Sequence, residues 1–380
     1  MTPASTAQDP HAGLHSANGA LPGEHRGRAA NPVVKAHGLA WLEFTKPDLA
    51  ATEAFAHAFG FSTALRTQDE LHLRGADAAS PFLLVRRGPR SAFVRAAFEV
   101  EDRADLQRLA GAAGGLVAAL PDSLGGDAVD LRDPSGQAVR VVAGTARLAA
   151  LPSQQPLAWN VGHAIARTNA TQRPPRVPAT VQRLGHVVLQ STSFRATLDW
   201  YLQHLGLIVS DFLYYDGQRA RGPVMAFIRC DRGATPADHH TLALLLGPAD
   251  RYVHSAYEVA DLDALAAGGE YLREKGYRRS WGIGRHIQGS QVFDYWRDPD
   301  GVMVEHYADG DVFDSTLQPG WAPMTASGLS QWGPPVTRDF LGIAPGRDAL
   351  RELRHVLDAL RGDNEFDRQR LLGLLRTTRT

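Results

Sequence analysis

An internal repeat constrains the fold of this chain more than any other feature of its sequence. Residues 91–100 align without a gap on residues 250–259, and residues 132–141 align on residues 297–306. Self-similarity of this kind indicates that the chain builds one supersecondary unit more than once. The sequence therefore predicts a modular architecture in which the second half repeats the first.

The repeated unit combines strands with a helix. Residues 51–60 and 197–206 carry apolar residues at helical spacing and end at a glycine, which is typical of a helix C-terminus. A strand precedes each of these helices. Each half also has an Asp-Pro-Ser/Asp-Gly turn, at 133–136 and 298–301, and the strand that follows it alternates apolar with polar residues.

The predicted domains follow from where the unit begins, near residues 37, 91, 183 and 250. Because two units make one domain, we predict an α+β fold with four βαβββ modules paired into two domains. The predicted segments are a disordered leader at 1–34, an N-terminal domain at 35–147, a Pro-rich linker at 148–180, a C-terminal domain at 181–312 and a C-terminal extension with helices at 313–380.

The composition predicts a soluble protein without a nucleic-acid or membrane partner. The chain has 380 residues, of which 44% are hydrophobic, so it has enough apolar material for two domains. Its 40 Lys and Arg residues balance 41 Asp and Glu residues, which gives no electrostatic reason to expect nucleic acid or an anionic membrane. The single cysteine, Cys230, excludes an intrachain disulfide and is typical of a reducing compartment. We expect a cytoplasmic protein.

The two halves differ at three positions that the alignment makes equivalent. At each of them the second half has a residue that can bind a metal ion, and the first half has a residue that cannot. The replacements are Ala40 by His186, Arg95 by His254 and Arg140 by Glu305. Two histidines and one carboxylate, with coordination positions left open, form the ligand set of non-haem Fe(II) oxygenases. A lone histidine is more often a surface or core residue, but three coinciding replacements favour a metal site in the second half.

These residues stand in segments that resemble the type I extradiol ring-cleavage dioxygenases of the vicinal oxygen chelate superfamily. The resemblance covers about 37–312 and is specific over 183–310, where 185–189, 252–254 and 303–305 match the three ligand strands. It implies two vicinal-oxygen-chelate domains, of which the C-terminal one is catalytic and binds iron. It also implies a homo-oligomer that cleaves a catecholic substrate with O2. The ligand set accepts Fe(II) or Mn(II).

The same resemblance implies three catalytic residues. His286 and Tyr295 match the active-site histidine and tyrosine of the family, and His240 matches its acid–base histidine. His239 stays open as the alternative to His240, because the irregular stretch before this pair leaves the register ambiguous. Many family members have Asn or Asp soon after the active-site histidine, whereas 287–289 here are Ile-Gln-Gly, which leaves the substrate subtype and the position of ring cleavage open.

Two other functions fit parts of the pattern. One is a metal-dependent isomerase of the glyoxalase or epimerase type, and the other is a non-catalytic small-molecule binding protein of the bleomycin-resistance type. The isomerases usually need a fourth protein ligand, and the binding proteins lack the metal triad. We therefore expect extradiol cleavage, with a muconic semialdehyde-type product in the catabolism of aromatic compounds.

Overall fold

The first half of the chain forms one eight-stranded sheet with two helices. The computed structural model describes residues 19–342 and 349–377. The elements of the first half are β1 Gly38–Lys46, α1 Leu49–Phe59, β2 Ser62–Arg66, β3 Glu70–Arg74, β4 Leu83–Arg87, β5 Ala92–Glu99, α2 Arg103–Ala113, β6 Val117–Ala119, β7 Asp127–Arg132 and β8 Ala138–Ala143. The strand order is β2-β3-β4-β1-β5-β8-β7-β6.

The second half repeats this arrangement in a ten-stranded sheet. Its elements are β9 Leu184–Ser191, α3 Phe194–Leu205, β10 Leu207–Tyr215, β11 Met225–Cys230, β12 Ala237–Asp238, β13 Leu242–Leu246, β14 Arg251–Glu258, α4 Leu262–Glu274, β15 Arg278–His286, β16 Val292–Arg297, β17 Met303–Ala308, β18 Val312–Phe313, β19 Gly320–Met324 and β20 Ser330–Trp332. The order of the ten-stranded sheet is β19-β10-β11-β13-β9-β14-β17-β16-β15-β20, so β9 and β14 occupy the central places that β1 and β5 occupy in the first sheet. The two short strands β12 and β18 pair with each other in a separate sheet.

The sequence explains where the helices begin and end. Asp102 and Asp261 cap α2 and α4, because each carboxylate accepts a hydrogen bond from the backbone N–H three residues later. Gly60 and Gly206 end α1 and α3 in the left-handed conformation, with φ of 105° and 62°.

The α+β fold with four modules is confirmed, whereas the bounds 35–147 and 181–312 remain our proposal for the two domains.

The two halves share one hydrophobic core and exchange polar contacts through their repeated turns. Lys46, at the end of β1 and only 3% exposed, forms ion pairs with Asp298 and Asp300 in the turn of the second half. The turn of the first half reaches back, since Gln137 donates a hydrogen bond to the carbonyl oxygen of Gln190 at 3.2 Å. A buried ammonium needs such partners, because an unpaired charge in a core is costly.

His306 joins the halves inside this core. Its ring stacks on Phe59 with centroids 3.7 Å apart, and its Nε2–H donates to the Phe59 carbonyl oxygen at 2.7 Å. The ring is fully buried, and this burial lowers the pKa of His306 to about 4.

Acidification is therefore expected to destabilise the fold through His306. The unfolded histidine takes up a proton near pH 6.5, but the folded one does so only near pH 4, so stability is lost as pH falls across this window. The slope from one such group is at most about 1.4 kcal/mol per pH unit. In His306→Gln the amide can still donate to Phe59 but does not titrate, so urea unfolding between pH 7 and 5 should depend less steeply on pH. Parallel curves for the two proteins would contradict this assignment.

The segments outside the sheets differ in how they pack. Residues 19–34 are not a free leader: the amide of Val209 donates to the Gly27 carbonyl oxygen at 2.7 Å, and Val34 is 4% exposed. The prediction of disorder is wrong for this part, because its apolar residues pack against β10 and α3. Residues 1–18 lie outside the described residues. The Pro-rich segment 148–180 has no helix, and its only β pairing is an isolated bridge.

The C-terminal extension contains the two expected helices, α5 Ala349–Arg361 and α6 Arg368–Thr377. Among the helices that the structure describes, none combines the length and the apolar character that a membrane span requires.

Candidate metal centre

Three adjacent strands place His186, His254 and Glu305 on one face of the second sheet. Ala256 of β14 lies directly opposite His186 of β9 on one side and opposite Glu305 of β17 on the other. Directly opposite residues project to the same face of a sheet, and His254 precedes Ala256 by two residues and so shares that face. The strand register thus brings the three predicted ligands together.

The three side chains converge on one carboxylate oxygen. Oε2 of Glu305 lies 3.3 Å from Nε2 of His186 and 3.4 Å from Nε2 of His254. One ligand atom from each residue lies within 4.8 Å of the others. All three residues are buried, with exposures of 2%, 7% and 0% in chain order.

The donor set fits a divalent cation. Both carboxylate oxygens of Glu305 are buried and lack a hydrogen-bond partner of good geometry, an arrangement that is costly unless a cation compensates the charge. Burial alone would raise the pKa of Glu305, but the imidazoles of His186 and His254 reverse this and hold it below its ordinary value. The carboxylate is therefore ionised and ready to bind a metal together with the two imidazole nitrogens.

The candidate acid–base histidine lies beside this set. The His240 ring packs on the His186 ring with centroids 3.9 Å apart, and it is 4% exposed. Burial first, and then the neighbouring His186 and His239, lower the pKa of His240 well below its ordinary value. The alternative, His239, packs behind His240, where its Nε2 lies 2.7 Å from Oδ2 of Asp211. Of the pair, His240 is therefore the one in contact with a candidate ligand.

His286 and Tyr295 form a hydrogen-bonded pair on the opposite side of Glu305. Nε2 of His286 lies 2.8 Å from the Tyr295 hydroxyl, and its Nδ1 lies 2.7 Å from the Leu329 carbonyl oxygen. Because a carbonyl only accepts, Nδ1 carries the proton, and Nε2 of the neutral ring accepts the tyrosine hydroxyl. Burial lowers the pKa of His286 and raises that of Tyr295.

Aromatic side chains surround this pair. The Trp281 ring stacks parallel to Tyr295 at 5.8 Å, and Phe340 meets Tyr295 edge-on at 4.8 Å. Sequence reasoning missed Phe340, because it comes from the extension beyond the repeat, where no counterpart in the first half draws attention to it.

The strand register corrects one equivalence between the halves. Ala97 of β5 lies opposite Trp41, just as Ala256 of β14 lies opposite His186. Trp41, rather than Ala40, is therefore the counterpart of His186. Both halves have a β-bulge at this place, which leaves Ala40 out of the first ladder and Gly185 out of the second. Ala40 is therefore the counterpart of Gly185.

The counterpart of the metal centre in the first sheet is a closed ion-pair network. Arg95 contacts Glu43 at 3.1 Å and Asp130 at 2.8 Å, and Arg140 contacts the same two carboxylates at 3.1 and 2.7 Å. The indole of Trp41 donates to Glu43 at 3.1 Å. Guanidinium groups have no lone pair for a metal, and here they neutralise the carboxylates.

We therefore expect one metal ion per chain, and we expect Arg95→Gln or Arg140→Gln to leave that content unchanged. Either change leaves Glu43, whose side chain is 14% exposed, without one of its cations, so the free energy of unfolding should fall by about 1–2 kcal/mol after allowance for solvent screening. Metal analysis and urea unfolding measure the two effects. A second metal ion per chain that either variant loses would refute the assignment.

Comparison with known proteins agrees with this geometry. The profile of the Glyoxalase/Bleomycin resistance protein/Dioxygenase superfamily matches residues 183–306, which include His186, His254 and Glu305. Metapyrocatechase 2 of Cupriavidus necator is 31% identical over 325 residues, which cover 82% of this chain and 94% of that protein. The chain belongs to the extradiol dioxygenases.

The fold of this extradiol dioxygenase is shared with solved structures of low identity. Homoprotocatechuate 2,3-dioxygenase from Brevibacterium fuscum superposes with a TM-score of 0.67 at 19% identity, over 84% of this chain and 95% of that one. A Mn(II)-bound glyoxalase from Novosphingobium aromaticivorans superposes with a TM-score of 0.66 at 23% identity, over 80% of this chain and 94% of that one. Because both activities occur on this fold, the sequence relationship to metapyrocatechase 2 separates the dioxygenase from the isomerase.

Proposed function

We propose that this extradiol dioxygenase opens a catechol ring beside its two hydroxyl groups, with O2 as co-substrate and Fe(II) as its metal. The observation that carries the proposal is the buried set of His186, His254 and Glu305 around a carboxylate without hydrogen-bond partners. The relative named metapyrocatechase 2 supports a catechol as the substrate class. The product is then a muconic semialdehyde or its keto analogue.

The ligand residues determine the charge and the open side of the centre. Two neutral imidazoles and one carboxylate offset a single positive charge of a divalent cation, so a catechol monoanion is attracted to the centre. A metal held by His186, His254 and Glu305 would bring catechol and O2 together and would conduct electrons from the one to the other. Buried aromatic side chains around the centre, among them Tyr295 and Trp281, keep bulk water away from it.

His240 is the proposed acid–base group. Its low pKa keeps the imidazole neutral at pH 7, so it can accept a proton from the second catechol hydroxyl and later return one to a product oxygen. Its contact with His186 places it beside the oxygens that bind to the metal. A histidine in this position moves protons without taking part in metal binding.

His286 and Tyr295 are proposed to stabilise negative charge on the substrate oxygens. They lie on the other side of the centre from His240, and Nε2 of His286 is 3.8 Å from Oε1 of Glu305. In the neutral His286 ring Nε2 is an acceptor, so the donor to a substrate oxygen is the Tyr295 hydroxyl, once it turns its proton from Nε2 to that oxygen, or His286 itself, once Nε2 takes up a proton. The Leu329 carbonyl keeps the His286 ring in one orientation for this role.

The proposal is tested by loading the protein anaerobically with Fe(II) and mixing it with catechol, 3-methylcatechol, 4-methylcatechol and biphenyl-2,3-diol in air. We expect a visible ring-fission chromophore and consumption of one O2 per product with at least one of these compounds. Loading with Mn(II) in parallel compares the two metals. Stoichiometric iron without O2 consumption, together with turnover of a hemithioacetal, would indicate the isomerase instead.

We also propose a cytoplasmic homo-oligomer. The single cysteine is a free, buried thiol, which is typical of a reducing compartment. Leu350, Leu353 and Leu357 form an exposed apolar stripe on α5 that a second subunit could cover. Sedimentation velocity measures the oligomeric state, and a monomer at micromolar concentration would exclude the second part of this proposal.

A further inference from the structure

The candidate acid–base histidine, His240, is the last of three buried side chains that are linked in series by hydrogen bonds. Oδ2 of Asp211 lies 2.7 Å from Nε2 of His239, and Nδ1 of His239 lies 2.9 Å from Nδ1 of His240. The three residues are 4%, 1% and 4% exposed in chain order. The metal set and the pair of His286 and Tyr295 do not include Asp211 or His239.

The donor and acceptor capacities of these groups determine where the protons lie. An ionised carboxylate only accepts, so the His239 nitrogen that faces Asp211 carries a proton. In a neutral His239 ring the other nitrogen, Nδ1, is then an acceptor. Because two facing ring nitrogens need one donor between them, Nδ1 of His240 carries the proton of the second hydrogen bond. This leaves Nε2 of His240 with a free lone pair.

A β-bulge in β10 places both partners of His239. Val209 and Asp211 pair with consecutive residues of β11, so Ser210 is the extra residue between them. The Ser210 hydroxyl donates to the His239 carbonyl oxygen at 2.6 Å, while Asp211 reaches its ring. In a regular strand two successive side chains point to opposite faces, but a bulge can direct both to one neighbour.

Buried contacts support this bulge and hold the His239 ring. Arg229, which is fully buried, donates to the Ser210 hydroxyl at 2.8 Å and places its positive charge near Asp211. The His239 backbone amide donates to the Asp311 carbonyl oxygen at 2.8 Å. A Cβ at Gly289 would lie 2.9 Å from Nδ1 of His239, so only glycine leaves room for the ring there. The ring therefore has one orientation.

We propose that Asp211 and His239 are positioning residues that hold His240 in the tautomer with its proton on Nδ1 and a free lone pair on Nε2. In this tautomer Nε2 accepts the proton of a catechol hydroxyl, while in the other tautomer it would already be protonated. The proposal rests on the acid–base role proposed above for His240. It also explains why two histidines stand side by side in the sequence, with only the second in contact with a candidate ligand.

The test uses two variants of His239 that each keep one half of its hydrogen bonding. In His239→Asn the amide oxygen takes the place of Nδ1 and still accepts from His240, but the link to Asp211 is lost. In His239→Gln the terminal amide takes the place of Nε2 and still donates to Asp211, but no acceptor faces His240. Both variants replace the same buried imidazole by an amide, so each is the matched control for the other.

If His239 is a positioning residue, His239→Asn should be the more active variant and His239→Gln the more stable one. We expect His239→Asn to keep kcat within about threefold of the wild type, and His239→Gln to lower kcat about tenfold or more, with KM and metal content unchanged in both. A merely structural role predicts the reverse, because His239→Gln keeps the partner of buried Asp211 and should have the higher melting temperature. Equal kcat values in the two variants, or a lower kcat in His239→Asn, would overturn the proposal.

A third variant changes Asp211, the first residue of this hydrogen-bonded series. Asp211→Leu removes the acceptor that selects the His239 tautomer, so kcat should fall by a factor close to that of His239→Gln while metal content stays near one ion per chain. Unchanged kcat in a folded Asp211→Leu protein would contradict the positioning role of Asp211. His240→Gln separates this outcome from a failure of the proposed function: if that variant lowers kcat but the His239 pair does not differ, His240 is the acid–base group and only the positioning role fails.

Discussion

The protein with Glu305 replaced by alanine is expected to contain little metal and to show at least about 100-fold less ring cleavage than the wild type. Glu305 is the one carboxylate in the candidate set, and its side chain is fully buried. Residues that only orient a metal ligand already contribute 10–100-fold to affinity or activity in metalloenzymes, so the loss of a ligand itself should exceed that range. His186→Ala and His254→Ala are expected to behave in the same way.

Metal analysis by mass spectrometry and O2 consumption with excess catechol measure the two effects. Arg140→Gln is the matched control, because Arg140 stands at the position of the first sheet that corresponds to Glu305 and its replacement should leave the metal in place. A melting temperature near that of the metal-free wild type would show that Glu305→Ala is folded. One metal ion per chain with normal turnover in any of the three variants would remove that residue from the ligand set.

The second large effect is expected for His240→Gln, in which kcat should fall about 100-fold or more while the metal content stays unchanged. Glutamine remains polar in this buried position but does not accept and return a proton near pH 7. The metal should stay because none of the three candidate ligands is altered. Stopped-flow absorbance of the ring-fission product measures kcat, and metal analysis of the same sample provides the second value.

The same experiment tests the choice between the neighbouring histidines. His240 contacts the ring of His186, whereas His239 reaches the centre only through His240. His239→Gln should therefore lower kcat less than His240→Gln does. A larger loss in His239→Gln would mean that the acid–base group is His239 and that the register taken from the sequence is shifted by one residue.

The three candidate ligands could be selected from the sequence because strands have a simple geometry. The side-chain period of a strand is two, so residues at equivalent places in repeated strands project to the same face, and the repeat brings those strands together in a known order. For this reason the comparison of His254 with Arg95 and of Glu305 with Arg140 was enough to select one half of the chain. The third comparison was wrong by one residue, since Ala40 corresponds to Gly185, at the bulge that both halves share, and Trp41 corresponds to His186.

The sequence by itself determined the modular α+β architecture, the turns that end each module and the three residue types of the candidate centre. These features depend on local periodicity and on the repeat, both of which can be observed along the chain. It did not determine what surrounds the centre. Phe340 reaches Tyr295 from the extension, and Asp211 reaches His239 from a strand 28 residues earlier. Such contacts join segments that share no pattern, so only the tertiary structure, which decides the bulges and the path of the extension, places them beside the site.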